Sequence, residues 1–210
     1  KNILKSNAPF KTALRIAIAG NIIDFAPNDN FNIHETVQKA IHTELAIDHS
    51  ESLKKKLKSA RTVLYLGDNA GEIVFDKIFI KVLNHPGLIY VVRGGPILND
   101  ATIKDAELVN MKEVARVISN GYDAPSTIPE KSSKEFQDYF TKAEIIISKG
   151  QGNFETLSGE AGNIFFLFKV KCPMVARLVG QPVGMQMLVQ SSAAWLSLAS
   201  RGLDEPGAGS

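Results

Sequence analysis

The chain has 210 residues, 44% hydrophobic and 22% charged, with a formal charge of +2, the profile of an ordinary globular protein with room for one substantial domain. So small a charge, with no Lys/Arg stripe interleaved with aromatic residues, argues against nucleic acid as a partner. No apolar run approaches the roughly 20 residues that span a bilayer, no signal peptide is visible, and the single cysteine, Cys172, cannot form an internal disulfide, so a cytoplasmic location is expected.

In chain order, residues 1–60 read as helical. Ala8 to Asp24 mixes Leu14, Ile16, Ala17, Ile18 and Ile22 with few polar interruptions, as in a well-buried helix. Near its end Asn21 and Asp24 stand three apart, on one face if the helix persists. They read either as a cap and turn or as one wall of a polar pocket. Pro27 to Asn32 is a loop, and helices follow over Ile33–Ala46 and Ser50–Ser59, the second carrying Lys54, Lys55, Lys56 and Lys58 on a solvated face. From residue 61 short apolar runs alternate with helical stretches. Strands are predicted over Thr62–Leu66, Leu88–Val92, Ala115–Ser119, Glu144–Ser148, Asn163–Phe168 and Val183–Val189, with helices near Glu72–Leu83, Ile103–Val109, Lys131–Thr141 and Pro173–Val179. That alternation implies right-handed crossovers and a mainly parallel sheet covered on both faces. The division expected is a helical portion over 1–60, an α/β domain over 61–190 and a weakly patterned tail over 191–210.

Polar residues gather after the strands. Gly67-Asp68-Asn69-Ala70-Gly71-Glu72 follows the first, where a carboxylate and an amide oxygen side by side suit a hard divalent cation. An Asx turn with Glu72 completing a helix cap accounts for the same residues. Arg93-Gly94-Gly95-Pro96-Ile97-Leu98-Asn99-Asp100 follows the second, and again a turn and N-cap before Ile103 is an alternative. Lys149-Gly150-Gln151-Gly152-Asn153-Phe154-Glu155 follows the fourth and lacks the third glycine of a dinucleotide fingerprint. Lys169 and Lys171 follow the fifth. Four such ends on one sheet edge can hold a cation and an anionic ligand together. A cation on Asp68, Asn69 and Asp100 would polarise a phosphoryl group and lower the pKa of bound water. Arg93, Lys149 and Lys171 would offset phosphate charge, N–H groups of Gly150–Asn153 would cradle it, and Glu72 would orient a water or act as base. These are the ingredients of metal-assisted phosphomonoester hydrolysis.

The stretches Gly67–Glu72, Arg93–Thr102 and Ser148–Glu155, with Ala17–Asp24 and Lys169-Val170-Lys171-Cys172-Pro173, resemble the stand-alone prokaryotic and archaeal branch of the metal-dependent damage-control phosphatases, in the same order from about residue 8 to about 189. The resemblance implies a three-layer α/β/α fold with a mainly parallel, Rossmann-like sheet and an added helical portion. It also implies a Mn²⁺, Co²⁺, Ni²⁺ or Mg²⁺ centre. By position, Asp68, Asn69 and Asp100 match the metal ligands, Glu72 an acid beside them, and Gln151, Gly152, Asn153 and Phe154 the substrate-binding loop. Lys169 or Lys171, with Lys171 preferred, matches a late lysine. The implied substrates are small phosphorylated metabolites, such as sugar phosphates or damaged cofactor intermediates. Members of that branch usually begin with a further helical segment bearing a Cys-x-x-Cys pair. This sequence starts at Lys1 without one, so the helical portion is expected to be incomplete.

Three other readings compete. A haloacid-dehalogenase phosphatase needs an Asp-x-Asp nucleophile after its first strand, and here Asn69 and Ala70 follow Asp68. A carboxyl methyltransferase needs a glycine-rich cradle for S-adenosylmethionine and no metal. A non-catalytic module that binds a metal and a phosphometabolite would carry the same residues and be told apart by its lack of turnover. His34, His42, His49 and His85 fall outside the motifs and read as incidental, Cys172 as a structural thiol.

Overall fold

The computed structural model describes residues 6, 8–23 and 33–191. Its helices are α1 (Pro9–Ile23), α2 (Ile33–His42), α3 (Ser50–Leu57), α4 (Ile73–Leu83), α5 (Ile103–Leu108), α6 (Lys134–Lys142), α7 (Gln151–Leu157) and α8 (Pro173–Val179). The strands are β1 (Ile47–Asp48), β2 (Val63–Leu66), β3 (Leu88–Val92), β4 (Arg116–Ser119), β5 (Ile145–Lys149), β6 (Ile164–Lys169) and β7 (Gln186–Gln190). They form one sheet in the order β1-β7-β6-β5-β2-β3-β4. The run from β6 to β4 is parallel, whereas β7 is antiparallel to β6 and carries the two-residue β1 parallel to itself.

The central strands are buried at every position, Val-Leu-Tyr-Leu in β2 and Leu-Ile-Tyr-Val-Val in β3, because both faces of the sheet are covered. Alternate side chains join different cores. Val63 and Tyr65 pack with Leu14, Ile18, Ile73 and Phe79 from α1 and α4, and Leu64 and Leu66 with Phe136, Phe154 and Val175 from α6, α7 and α8. That is the expected three-layer α/β/α arrangement. Among the described residues no helix is long and apolar enough to cross a membrane.

Three local departures from the sequence reading have physical causes. The last strand starts at Gln186 and not Val183, since Gly184 turns with φ +95° and the Met185 N–H closes on the Pro182 carbonyl. The short β1 carries too little pattern to predict. Gly150–Asn153, read as a loop, instead runs into helix α7 from Gln151. Gly150 with φ +83° makes the sharp turn that starts it.

Candidate functional site

The register aligns Leu66 of β2 with Val91 of β3 and Ser148 of β5. Gly67-Asp68, Arg93 and Lys149 therefore leave the sheet at one edge, the carboxyl edge, where open α/β folds collect ligands. The strand order turns about β2, so the crevice between β2 and β5 is the place where such a site forms.

Backbone pairing brings in the third acid. The Asp68 carbonyl accepts from Ala101 N at 2.7 Å, Ala70 N donates to the Asn99 carbonyl at 2.8 Å, and Asn69 and Asp100 form an isolated antiparallel bridge. Neither competing cap reading describes the structure. Thr102 is the N-cap of α5, closed by Asp105, so Asp100 is left for the site. Asn69 makes no side-chain cap; its Nδ2 donates to Glu72 Oε1 at 2.7 Å and to Asp68 Oδ2 at 3.2 Å.

Two buried cations hold this arrangement. Arg93, 3% exposed, donates Nε to Asp100 Oδ2 at 2.5 Å, Nη1 to Thr127 Oγ1 at 2.8 Å and Nη2 to Asn153 Oδ1 at 3.3 Å, and Nη2 lies 4.0 Å from Asp68 Oδ1. Lys149 is fully buried, its Nζ 2.7 Å from Glu72 Oε2 and 2.8 Å from Asp76 Oδ1. Asp76 also accepts from Tyr65 OH at 2.7 Å and Tyr90 OH at 3.1 Å. Burial favours the neutral carboxyl at Asp76 and raises its pKa, against the pull of Lys149. Burial alone would lower the pKa of Lys149, but the charges of Asp76 and Glu72 outweigh it and hold the ammonium above its ordinary value. The Tyr65 and Tyr90 hydroxyls are raised by burial and then by Asp76. Burial, then Glu72 and Asp100, push Asp68 up to about 7 against Arg93 and Lys149.

The predicted site residues therefore separate by role. Asp68, Asn69 and Asp100 converge. Glu72 lies beside them but is wholly buried between Lys149 and Asn69. Read from sequence as orienting a water or acting as base, it accepts a hydrogen bond from within the protein at each carboxylate oxygen. Arg93 and Lys149, expected to meet phosphate, are occupied by the site's own acids and Asn153, because a buried charge requires a partner. Asn153 is buried and donates Nδ2 to the Lys149 carbonyl at 2.8 Å. Phe154 is core, its ring 4.7 Å from Phe168 and stacked on it. Gly152 sits where a Cβ would come 2.4 Å from Ser126 Oγ. Gln151 accepts from the Lys171 N–H at 2.6 Å and donates to Glu155 at 2.7 Å, joining the turn after β6 to α7. Asp24 and the side chain of Asn21 lie outside the described residues. Sequence reading passed over Asp76, Tyr65, Tyr90 and Thr127. Spacing could have found Asp76, four residues from Glu72 on one helical face, whereas nothing local marks Thr127.

The donor set fits a divalent cation of the Mg²⁺ or Mn²⁺ type: two carboxylates and a carboxamide whose two N–H groups are spent, leaving Oδ1 to offer. Among the described residues no group of three or more His, Cys, Asp or Glu side chains is disposed to hold a metal, so the amide is part of the set or there is no set. The cavities of about 910 and 830 Å³ meet at Asn84, His85 and Pro86 by the amino ends of the strands, and no residue of this cluster lines either.

A family model described as the damage-control phosphatase ARMT1-like domain matches residues 1–187. The chain belongs to the ARMT1-like damage-control phosphatase family. Within that family it is 40% identical over 188 residues to damage-control phosphatase PH1575 of Pyrococcus horikoshii, covering 86% of this chain and 64% of that protein. It is 36% identical over 187 residues to a damage-control phosphatase of Archaeoglobus fulgidus, covering 85% and 64%. The crystal structure of the P. horikoshii protein, a DUF89 family member, superposes with a TM-score of 0.80 at 39% identity, covering 87% of this chain and 66% of that one. This ARMT1-like chain thus spans a little under two thirds of the length of the curated relatives it matches.

Proposed function

We propose that the protein is a metal-dependent phosphatase that hydrolyses phosphomonoesters of small metabolites, sugar phosphates or damaged cofactor intermediates among them. The observation that carries this reading is the convergence of Asp68, Asn69 and Asp100 at the carboxyl edge, with Arg93 bridging Asp100 and approaching Asp68. Relatives named damage-control phosphatases, at 36% and 40% identity, support it.

Asp68, Asn69 and Asp100 would hold the cation, Mn²⁺, Co²⁺, Ni²⁺ or Mg²⁺. When bound it would supply Lewis acidity toward a phosphoryl oxygen and toward water, and offset the burial and the charges of Glu72 and Asp100 that raise Asp68. The protein's own groups do the positioning. Arg93 and the Asn69–Asp100 bridge keep the acids of two loops together. Lys171, partly exposed where Lys149 is buried, would meet the phosphate. The test is release of phosphate from p-nitrophenyl phosphate with and without each metal. Turnover that needs metal and vanishes in Asp68→Ala is expected. Its absence in folded, metal-loaded protein would leave a binding module.

A further inference from the structure

We propose that Glu72 is a positioning residue that sets the orientation of the Asn69 carboxamide, so that Oδ1 and not Nδ2 meets a bound cation; this rests on the metal-dependent reading above. The two ends of a carboxamide are nearly equal in shape and opposite in chemistry. Only the oxygen ligates a hard cation. A flipped Asn69 would fill the same space and turn two hydrogens toward the metal.

The surroundings of Asn69 forbid the flip. Its Nδ2 faces Glu72 Oε1 at 2.7 Å and Asp68 Oδ2 at 3.2 Å, both acceptors. Rotated, Oδ1 would stand against a carboxylate oxygen at hydrogen-bond distance with no hydrogen between them. Glu72 cannot turn away, because its other oxygen accepts from Lys149 Nζ at 2.7 Å. Lys149 is fixed in turn by Asp76 at 2.8 Å, and Asp76 by Tyr65 and Tyr90. Glu72 and Asp76, one helical turn apart, thus clasp one ammonium from β5. From the other side α1 covers Glu72: a Cβ on Gly20 would lie 3.5 Å from Glu72 Cβ and Cγ. A fully buried side chain held at both oxygens transmits orientation to the ligand beside it.

The decisive variant is Glu72→Gln. Lys149 still demands an acceptor, so the carboxamide introduced by Glu72→Gln turns its oxygen to Lys149 and its nitrogen to Asn69. Asn69 then turns its oxygen to that nitrogen and its own nitrogen to the metal. A second change, Asn69→Asp, restores an oxygen on both sides.

Mn²⁺ affinity is measured by isothermal titration calorimetry for wild type, Glu72→Gln, Asn69→Asp and the double variant, with circular dichroism to confirm that each is folded. Glu72→Gln is expected to weaken binding about 10- to 100-fold, the usual scale for a group hydrogen-bonded to a metal ligand. The double variant is expected to recover toward wild type. Asn69→Asp alone, with two carboxylates facing each other and no hydrogen between, is expected to bind no tighter than wild type. Unchanged affinity in Glu72→Gln overturns the inference, as does a double variant without recovery. Tighter binding by Asn69→Asp also overturns it, since charge rather than orientation would then govern affinity. Wild-type protein that takes up no Mn²⁺ defeats the metal-dependent reading and this inference with it. A wild type that binds while the variants depart from these outcomes defeats the inference alone.

Discussion

A Cβ on Gly150 would lie 2.0 Å from Asp68 Oδ2, so the glycine that opens α7 and the acid that follows β2 share one space. Gly150→Ala must displace the carboxylate or shift the helix, and at φ +83° and ψ +153°, a region open essentially to glycine alone, the side chain itself costs about 1–3 kcal/mol. The expected outcome is a lower melting temperature together with weakened Mn²⁺ binding. Wild-type metal affinity in this variant would show that Asp68 is not held by that contact.

The buried acids give the metal-free protein a distinctive pH dependence. Asp68 rises from its ordinary 3.8 to about 7 on folding, so the folded state binds the proton more tightly than the unfolded state does. Stability is therefore lost as pH climbs from about 3.8 to about 7, and Asp76, raised in the same direction, adds to the slope. Thermal melts of the metal-free protein across that window should show the decline, Asp68→Asn should flatten it, and saturating Mn²⁺ should reverse it. A melting temperature that climbs across the window in the metal-free wild type would contradict the assignment.

Three lysines that look alike in sequence should behave differently. Lys149→Met strands Glu72 and Asp76 without their cation in a site closed to water, a loss of about 3–5 kcal/mol by analogy with other broken buried pairs. Lys171→Met should leave the melting temperature near wild type and raise KM for p-nitrophenyl phosphate. Lys55→Met, on an exposed face of α3, should change neither. Equal kinetic effects at Lys171 and Lys55 would mean the anion site lies elsewhere.

Phe154 separates the core from the site. Its ring stacks on Phe168 at 4.7 Å and meets Phe166 edge-on at 5.2 Å. Phe154→Leu should cost about 1–3 kcal/mol, the scale of two lost aromatic pairs, and leave KM unchanged. A raised KM with unaltered stability would return Phe154 to the ligand.

Much of the frame was legible locally. Thr62–Leu66 and Leu88–Val92 announce buried strands through unbroken apolar runs, and Gly67 and Gly94 mark where they stop. Asp68 and Asn69 could be singled out because they follow such a strand directly, and Asp100, further along the loop after the second strand, through its match to the family's motif. The helix over Gln151–Leu157 was hidden because Gly152 and Asn153 in its first turn are poor helix formers. Its helical state is secured by Phe154 and Leu157 reaching the core beneath.

The sequence by itself thus determined the alternation of strand and helix, the single edge where the polar clusters collect, and the identity of the three candidate ligands, since each depends on residues close together in the chain. Only the tertiary structure decided which charges face one another. Lys149 lies 77 residues from Glu72 and 73 from Asp76, and Arg93 34 from Thr127 and 60 from Asn153. No local pattern ties such distant groups. Burial does, because an ammonium or guanidinium taken out of water is tolerated only where the fold delivers acceptors to it.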